Sequence, residues 1–327
     1  PFRSQRILTI DLKNHWHSIA DIEEFVDLCR FYKIRHLTRH GGAPQWISAV
    51  MDSTAGIPAA TRESQRIYSK PELDGLIAYA AARGVYMFPH NGNNDNSSNM
   101  RDALQDDYNT TDGYPNWVQE AYADEGINLS PGNPEGLDGY VDTESNGVDT
   151  ADPDYWKSVE IFIKRSHAQF AGIYPGGRVP YYHMGPIQGE GGTHPDNGII
   201  ILDILREVDP DVKLMFWNGL NAGNDHELRD RKDETIVCFY SKSSSASDVH
   251  AYLNNGWPIL NSAWSPLYIV GEGVARTQQQ THDDWNTFRL GTDGFTGSGF
   301  VYENIDWDEF DTPTAHGLLH GGMLCTW

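Results

Sequence analysis

An apolar strand runs directly into a glycine-rich loop at Tyr181-Tyr182-His183-Met184-Gly185-Pro186-Ile187-Gln188-Gly189-Glu190. The loop presents polar side chains as soon as the strand ends. A (β/α)8 barrel builds its active site in this way, from the loops that follow the carboxyl ends of its strands. This stretch therefore predicts a barrel whose functional site lies just beyond His183.

Short apolar runs of this kind recur along the chain, and we count eight. Amphipathic segments lie between several of them, an alternation typical of a parallel sheet with helices outside. The 327 residues accommodate one barrel of roughly 250 residues plus loop insertions. We predict an α/β fold, a single-domain (β/α)8 TIM barrel over 1–327, with strands at 7–12, 34–38, 85–89, 179–183, 212–217, 236–240, 258–261 and 322–327.

Two of the intervening helices carry clear start signals. Ser18 precedes Asp21 by three residues and Ser69 precedes Glu72 by three, which is the spacing of a capping box. Each helix should pack one apolar stripe on the barrel, formed by Ile22, Phe25, Val26 and Cys29 in the first and by Leu73, Leu76, Ile77 and Ala80 in the second.

A long insertion is expected at about 91–154, after the third strand. Its composition shifts to Asn, Asp, Gly, Ser and Thr, and Pro115, Pro131 and Pro134 interrupt any helix that might start there. Loops of this length are usually lids or binding walls, and a passive surface excursion is the alternative.

The charge balance excludes some partners. Lys and Arg total 24 against 46 Asp and Glu, a net charge of −22, which argues against nucleic acid and anionic membranes as partners. A neutral ligand is the better expectation. Ten Trp, sixteen Tyr and twelve Phe suit stacking on sugar rings, although most of these aromatic side chains should simply fill the core.

The three cysteines, Cys29, Cys238 and Cys325, are far apart and form no Cys-x-x-Cys pair. Buried thiols are expected, with neither a disulfide framework nor a zinc site. No apolar run is long enough to span a membrane. The start at Pro1 looks like a processed or trimmed terminus. The expected location is secreted or periplasmic.

Several segments resemble, in order, the catalytic barrel of the family 20 glycoside hydrolases, the β-N-acetylhexosaminidases. His183 to Gln188 is similar to that family's His-x-Gly-Gly-Asp-Glu segment, and Gly321 to Trp327 is similar to its closing Gly-Gly-x-x-x-x-Trp. Further similar segments lie at 10–16, 31–34, 68–80, 83–89, 130–135, 216–220 and 264–268. The resemblance implies the family's barrel fold and a sugar cleft at its mouth.

The family's catalytic groups are replaced in this chain. The resemblance implies an Asp that orients the substrate's acetamido group, an adjacent Glu as general acid and a Tyr bonded to the acetamido oxygen. At the matching positions stand Ile187, Gln188 and Pro266, while Asn14 replaces a sugar-binding Arg and His90 a Glu. Since these side chains cannot grip an acetamido group or protonate a leaving group, we expect hydrolysis without acetamido participation.

A glycosidase needs a proton donor and usually a second carboxylate. Glu190 is the best-placed acid, because the neighbouring glycines could let it reach the position of the family's Glu. Gln188 is the alternative if it replaces a native Glu. For the second carboxylate we predict Glu303, with Asp306 and Glu272 as alternatives.

The predicted sugar-binding side chains stand at or near strand ends and around the barrel mouth. Amides, imidazoles and aromatic rings in such places are typical of a carbohydrate lining. The predicted contacts are Asn14, His15, His40, His90, Asn91, His183, Trp217, Asn218, Tyr240, Trp264 and Trp327, with Asn261 and Trp16 in the same pattern. The histidine spacing lacks the pairing of a metal site, so no metal or cofactor is expected.

Three hypotheses remain open on the sequence. The first is a secreted glycoside hydrolase that cleaves a polysaccharide or oligosaccharide of neutral sugars, such as a galactan of the agar type. The second is a divergent β-N-acetylhexosaminidase with a rebuilt site. The third is a non-catalytic carbohydrate-binding barrel. The glycan, the linkage, the stereochemical outcome and the oligomeric state are not readable from the residues.

Overall fold

The structure is a computed structural model, and it describes part of the chain. The described residues are 5–11, 16–40, 49–50, 52, 58–64, 67–90, 141–142, 147–148, 153–186, 197–217, 228–239, 252–262, 268–269 and 318–326. The secondary structure reported below is confined to these ranges.

Most of the strands form one parallel sheet. The strands are β1 (Gln5–Asp11), β2 (His36–His40), β3 (Tyr86–Met87), β4 (Val141–Asp142), β5 (Gly147–Val148), β6 (Tyr181–Pro186), β7 (Lys213–Trp217), β8 (Thr235–Phe239), β9 (Ile259–Asn261), β10 (Tyr268–Ile269) and β11 (Leu319–Thr326). Their order in the sheet is β3-β2-β1-β11-β9-β8-β7-β6, and β10 pairs with β11 beyond β9. β4 and β5 form a separate antiparallel pair within the predicted insertion.

The two edges of this sheet meet. The His183 N–H donates to the Pro89 carbonyl at 2.9 Å, and His90 and His183 form a parallel bridge that joins the end of β3 to β6. Eight parallel strands therefore curl into a barrel, which confirms the predicted (β/α)8 fold. Each of the eight predicted runs overlaps one barrel strand.

The second strand lies two residues later than the prediction of 34–38. The reason is the turn that ends the preceding helix, where Lys33 has a φ of 59° and the Ile34 N–H donates back to the Cys29 carbonyl. Residues 32–34 form this turn, so the pairing of β2 with β1 begins only at His36.

The helices lie outside the barrel, and the two that the sequence predicts start where expected. They are α1 (Ile19–Phe31), α2 (Ala59–Ser64), α3 (Lys70–Ala82), α4 (Pro153–Ile173) and α5 (Asn197–Val208). Both predicted capping boxes are present, at Ser18 with Asp21 and at Ser69 with Glu72. The predicted stripes are buried, except that Phe25 is half-buried.

Side-chain contacts show which residues point into the barrel, on the inner face of the sheet, and which point towards the helices, on the outer face. The Tyr182 hydroxyl lies 2.8 Å from Ser166 Oγ on α4, so Tyr182 faces the helices. Tyr181 instead contacts His36 of β2, at 5.1 Å between ring centroids, although β3 runs between their strands. Strands two apart in a sheet are separated by about 9.6 Å, so such contacts form only on the concave side.

All three cysteine side chains are buried thiols, as predicted, and no disulfide joins them. Among the described helices, none combines the length and the apolar character that a membrane span requires.

Gly321 fixes the approach of β11 to β1. Its φ is 140°, and a Cβ at this position would lie 2.0 Å from the Gln5 carbonyl oxygen. We expect Gly321→Ala to lower the free energy of unfolding by about 3 kcal/mol or more, because the two strands would have to separate. Urea denaturation measures this change.

The matched control is Gly172→Ala on the exposed side of α4, where an added Cβ meets nothing within 4 Å. This variant should raise the free energy of unfolding by up to about 1 kcal/mol, as alanine favours helix. Equal effects of the two substitutions would contradict the close strand approach.

His36 makes stability dependent on pH. Burial, with a smaller contribution from the Arg35 charge, lowers the pKa of His36 from 6.5 to about 4. The unfolded chain therefore binds more protons than the folded chain between these values, so stability falls as the pH drops from 6.5 towards 4. At pH 4.5 the protonation of His36 in the unfolded chain should lower the free energy of unfolding by about 2 to 3 kcal/mol, compared with neutral pH.

We expect His36→Phe to remove this contribution, since the Nδ1 atom of His36 has no hydrogen-bond partner in the described part of the chain. Urea denaturation of both proteins at pH 7.5 and 4.5 tests this. The carboxylates contribute equally to the pH dependence of both proteins, so they cancel in the comparison. If the free energy of unfolding changed with pH by the same amount in both proteins, the expected titration of His36 would be contradicted.

Candidate functional site

Three of the predicted sugar-binding side chains come together on the inner face. His90 follows β3, His183 lies on β6 and Trp217 ends β7. The ring centroids of His90 and His183 lie 4.0 Å apart, and those of His183 and Trp217 lie 4.8 Å apart. His90 also approaches Trp217 at 6.2 Å across the intervening β6. We call these three residues the floor cluster.

The strand register explains this proximity. His183 bridges His90 on one side and pairs with Met215 on the other, so these residues share the inner face. Trp217 follows Met215 by two positions and therefore also points inward. The barrel closure thus places the three rings at the carboxyl ends of three adjacent strands, where the sequence predicts the site.

The floor cluster is buried, with 1% of His90, none of His183 and 4% of Trp217 exposed. Neutral imidazoles each offer one hydrogen-bond donor and one acceptor, and the indole adds a flat apolar surface. This is a combination of groups that can bind hydroxyls and the apolar face of a sugar ring.

Trp16 is described and packs against the core, with its ring stacked on Tyr68 at 6.5 Å between centroids. Most of the other predicted residues lie outside the described ranges. The backbone of His40 ends β2, but its side chain is not described. Outside the described residues are the predicted catalytic residues Gln188, Glu190 and Glu303, and the predicted contacts Asn14, His15, Asn91, Asn218, Tyr240, Trp264 and Trp327.

The inner face near the floor cluster carries uncharged groups where its side chains are described. Thr9, Cys238 and Cys325 occupy inner positions of β1, β8 and β11, as the register with Thr38 and Trp217 indicates. Burial, with a smaller contribution from Cys325, raises the pKa of the Cys238 thiol well above its usual range. Cys238 is therefore a protonated, unreactive thiol that contributes a weakly polar surface.

The register also corrects one prediction. Leu260 pairs with Cys238 and points inward, so the next residue, Asn261, points outward and does not line the mouth. Ser262 takes the inner position at the end of β9, and the sequence analysis missed it. Side chains alternate between the two faces along β9, so the sequence could have placed Ser262 inside the barrel only if the register of β9 with β8 had been known.

Arg39 is a second residue that the sequence analysis did not single out. It pairs with Ile10, and it lies on the outer face of β2 with 2% of its side chain exposed. Tyr68 and Tyr182 interact electrostatically with it. Arg39 therefore belongs to the layer between sheet and helices and not to the floor cluster.

A cavity of about 480 Å³ lies at the opposite end of the barrel, between α4 and the turn after α5. His167 and Asp209, 3.1 Å apart, lie on its wall. The amino-terminal face of such a barrel usually serves stability, and this hydrogen-bonding contact joins α4 to that turn. Within the described ranges, no three His, Cys, Asp or Glu side chains are grouped to hold a metal ion.

Comparison with solved structures identifies proteins of similar shape. Dispersin B matches with a TM-score of 0.64 and 15% identity over 99% of this chain and 91% of its own. A β-N-acetylhexosaminidase from Bacteroides fragilis matches with a TM-score of 0.57 and 13% identity over 100% of this chain and 61% of its own. The tandem family 20 catalytic modules of the pneumococcal exo-β-D-N-acetylglucosaminidase StrH match with a TM-score of 0.60 and 12% identity, over 100% of this chain and 79% of theirs.

The chain has the barrel fold of the family 20 glycoside hydrolases. The resemblance seen in the sequence is thereby confirmed at the level of fold. A curated β-hexosaminidase of Akkermansia muciniphila is 32% identical over 97 residues, which is 26% of this chain and 19% of that protein. This chain therefore matches about a fifth of the length of that relative. No protein-family model matches the sequence.

A double-mutant cycle tests the floor cluster. We expect His183→Ala and Trp217→Ala to be coupled by about 0.5 to 1.5 kcal/mol in the free energy of unfolding, because their rings touch. The control cycle pairs Trp217→Ala with His167→Ala on α4, at the other end of the barrel, and should be additive within about 0.5 kcal/mol. Additivity in both cycles would contradict the ring contact.

Proposed function

We propose that this chain is a glycoside hydrolase that binds a polysaccharide or oligosaccharide at the carboxyl end of its barrel. The observation that carries the proposal is the floor cluster, two imidazoles and an indole at 4.0 and 4.8 Å on the inner face of a family 20 fold. Active sites of (β/α)8 barrels lie at this end, and hydroxyl-binding groups beside an aromatic ring suit a sugar. A secreted or periplasmic location is part of the same proposal.

The proposed substrate consists of neutral sugars and is cleaved without acetamido participation. The described inner face near the floor cluster carries no charged side chain, and the net charge of −22 disfavours anionic polymers. Ile187 and Pro266 stand where the family resemblance implies acetamido-binding groups. A galactan of the agar type is the example we propose.

The proposed general acid is Glu190, or Gln188 if it replaces a native Glu, with Glu303 as the second carboxylate. Glycoside hydrolysis requires a donor that protonates the leaving oxygen. These assignments rest on the sequence, since all three residues lie outside the described ranges.

A divergent β-N-acetylhexosaminidase is the second candidate. The names of the similar proteins support it, because they include an exo-β-D-N-acetylglucosaminidase and two hexosaminidases. Such an activity would require a rebuilt grip on the acetamido group.

We expect the wild type or Gln188→Glu to release new reducing ends from neutral galactans. Glu190→Gln should lower that rate by about 10² to 10⁴-fold, because a positioned general acid is worth this much. The assay compares agarose oligosaccharides, other neutral polysaccharides and chito-oligosaccharides. Glu207→Gln, an exposed acid on α5 paired with Lys164, is the matched control and should leave the rate unchanged.

The outcomes separate the candidates. Cleavage of chito-oligosaccharides alone would favour the hexosaminidase. Glycan binding with no cleavage, even with Gln188→Glu, would favour a non-catalytic barrel. Neither binding nor cleavage of any glycan would overturn the proposed function.

A further inference from the structure

Ser262 lies just past the carboxyl end of β9. Its backbone N–H donates to the Phe239 carbonyl of β8 at 3.0 Å, which continues the ladder one residue past the strand. Leu260 pairs with the inner-facing Cys238, and residues two apart in a strand share a face. The side chain of Ser262 therefore points into the barrel at the end that carries the floor cluster.

The Ser262 hydroxyl is buried and unsatisfied. None of the residue is exposed, and Oγ has no hydrogen-bond partner in the part of the chain that the structure describes. β9 runs between β8 and β11, whose inner faces carry the thiols of Cys238 and Cys325. Thiols are weak hydrogen-bonding groups and do not compensate a buried hydroxyl.

Two other buried hydroxyls near the barrel, on Ser166 and Thr38, have partners. Ser166 Oγ donates to the Ile163 carbonyl at 3.1 Å and lies 2.8 Å from the Tyr182 hydroxyl. Thr38 Oγ1 donates to the Phe88 carbonyl at 3.1 Å. An unmade bond at a buried hydroxyl is unfavourable, so a group of this kind calls for a functional reason.

We propose that Ser262 contacts the substrate, and that its hydroxyl bonds a hydroxyl group of the neutral sugar bound above the floor cluster. This inference rests on the proposed function. A serine hydroxyl donates one hydrogen bond and accepts others, which matches a sugar hydroxyl that does the same.

The test is Ser262→Ala, which should separate stability from binding. Removal of an unsatisfied buried hydroxyl should leave the melting temperature unchanged or raise it. Loss of one neutral hydrogen bond to the ligand should raise the dissociation constant by about 3- to 10-fold. Isothermal titration with agarose oligosaccharides and chito-oligosaccharides measures binding, and calorimetric melting of the free protein measures stability.

Ser166→Ala is the matched control, since it removes a buried serine hydroxyl from α4 that has partners. Ser166→Ala should lower the melting temperature and leave the dissociation constant unchanged. If the wild type binds a glycan and Ser262→Ala binds it equally well, the role of Ser262 is overturned while the proposed function stands. If Ser262→Ala melts lower than Ser166→Ala, Ser262 is structural. If the wild type binds none of the glycans, both proposals fail together.

Discussion

The main-chain hydrogen bond from His183 to Pro89 joins the two edges of the sheet, and the rest of the architecture depends on this closure. β3 is short, so the contact between the ends of β3 and β6 is made where the strands finish and the proposed site begins. The same bridge that closes the barrel places two imidazoles face to face and brings Trp217 within reach. Fold and floor cluster therefore share one cause, and a change that opened this seam would remove both.

The sequence predicted what depends on local pattern. Apolar runs located the eight strands, and the Ser18 and Ser69 boxes located two helix starts, because capping and amphipathic spacing are read within a few residues. It did not predict which strand-end side chains face inward. That choice depends on the register between strands, which includes a shift between Leu319 and Gly321. Asn261 was consequently placed on the wrong face, and Ser262 was overlooked. The contact between His90 and His183 likewise follows from closure, which joins residues far apart in the chain.

Charge is segregated in the described structure. Ion pairs gather on the helices and at the amino-terminal end, where Arg231 and Arg206 bond Glu234 and lower the pKa of that carboxyl to about 2. Among the described side chains, the inner face near the floor cluster is uncharged, and the carboxylates lie in the helix layer and near solvent. The two features together support a ligand that is polar and without net charge.

The burial of all three cysteines has a practical consequence. Cys29 and Cys238 are deeply buried, and burial raises the pKa of the Cys29 thiol to about 12. The folded chain accordingly presents no native sulfhydryl to aqueous reagents. A single cysteine introduced at an exposed position would react much faster with a dye or spin label than the buried native thiols. A label can therefore be attached at the mouth of the barrel without first replacing the three native cysteines.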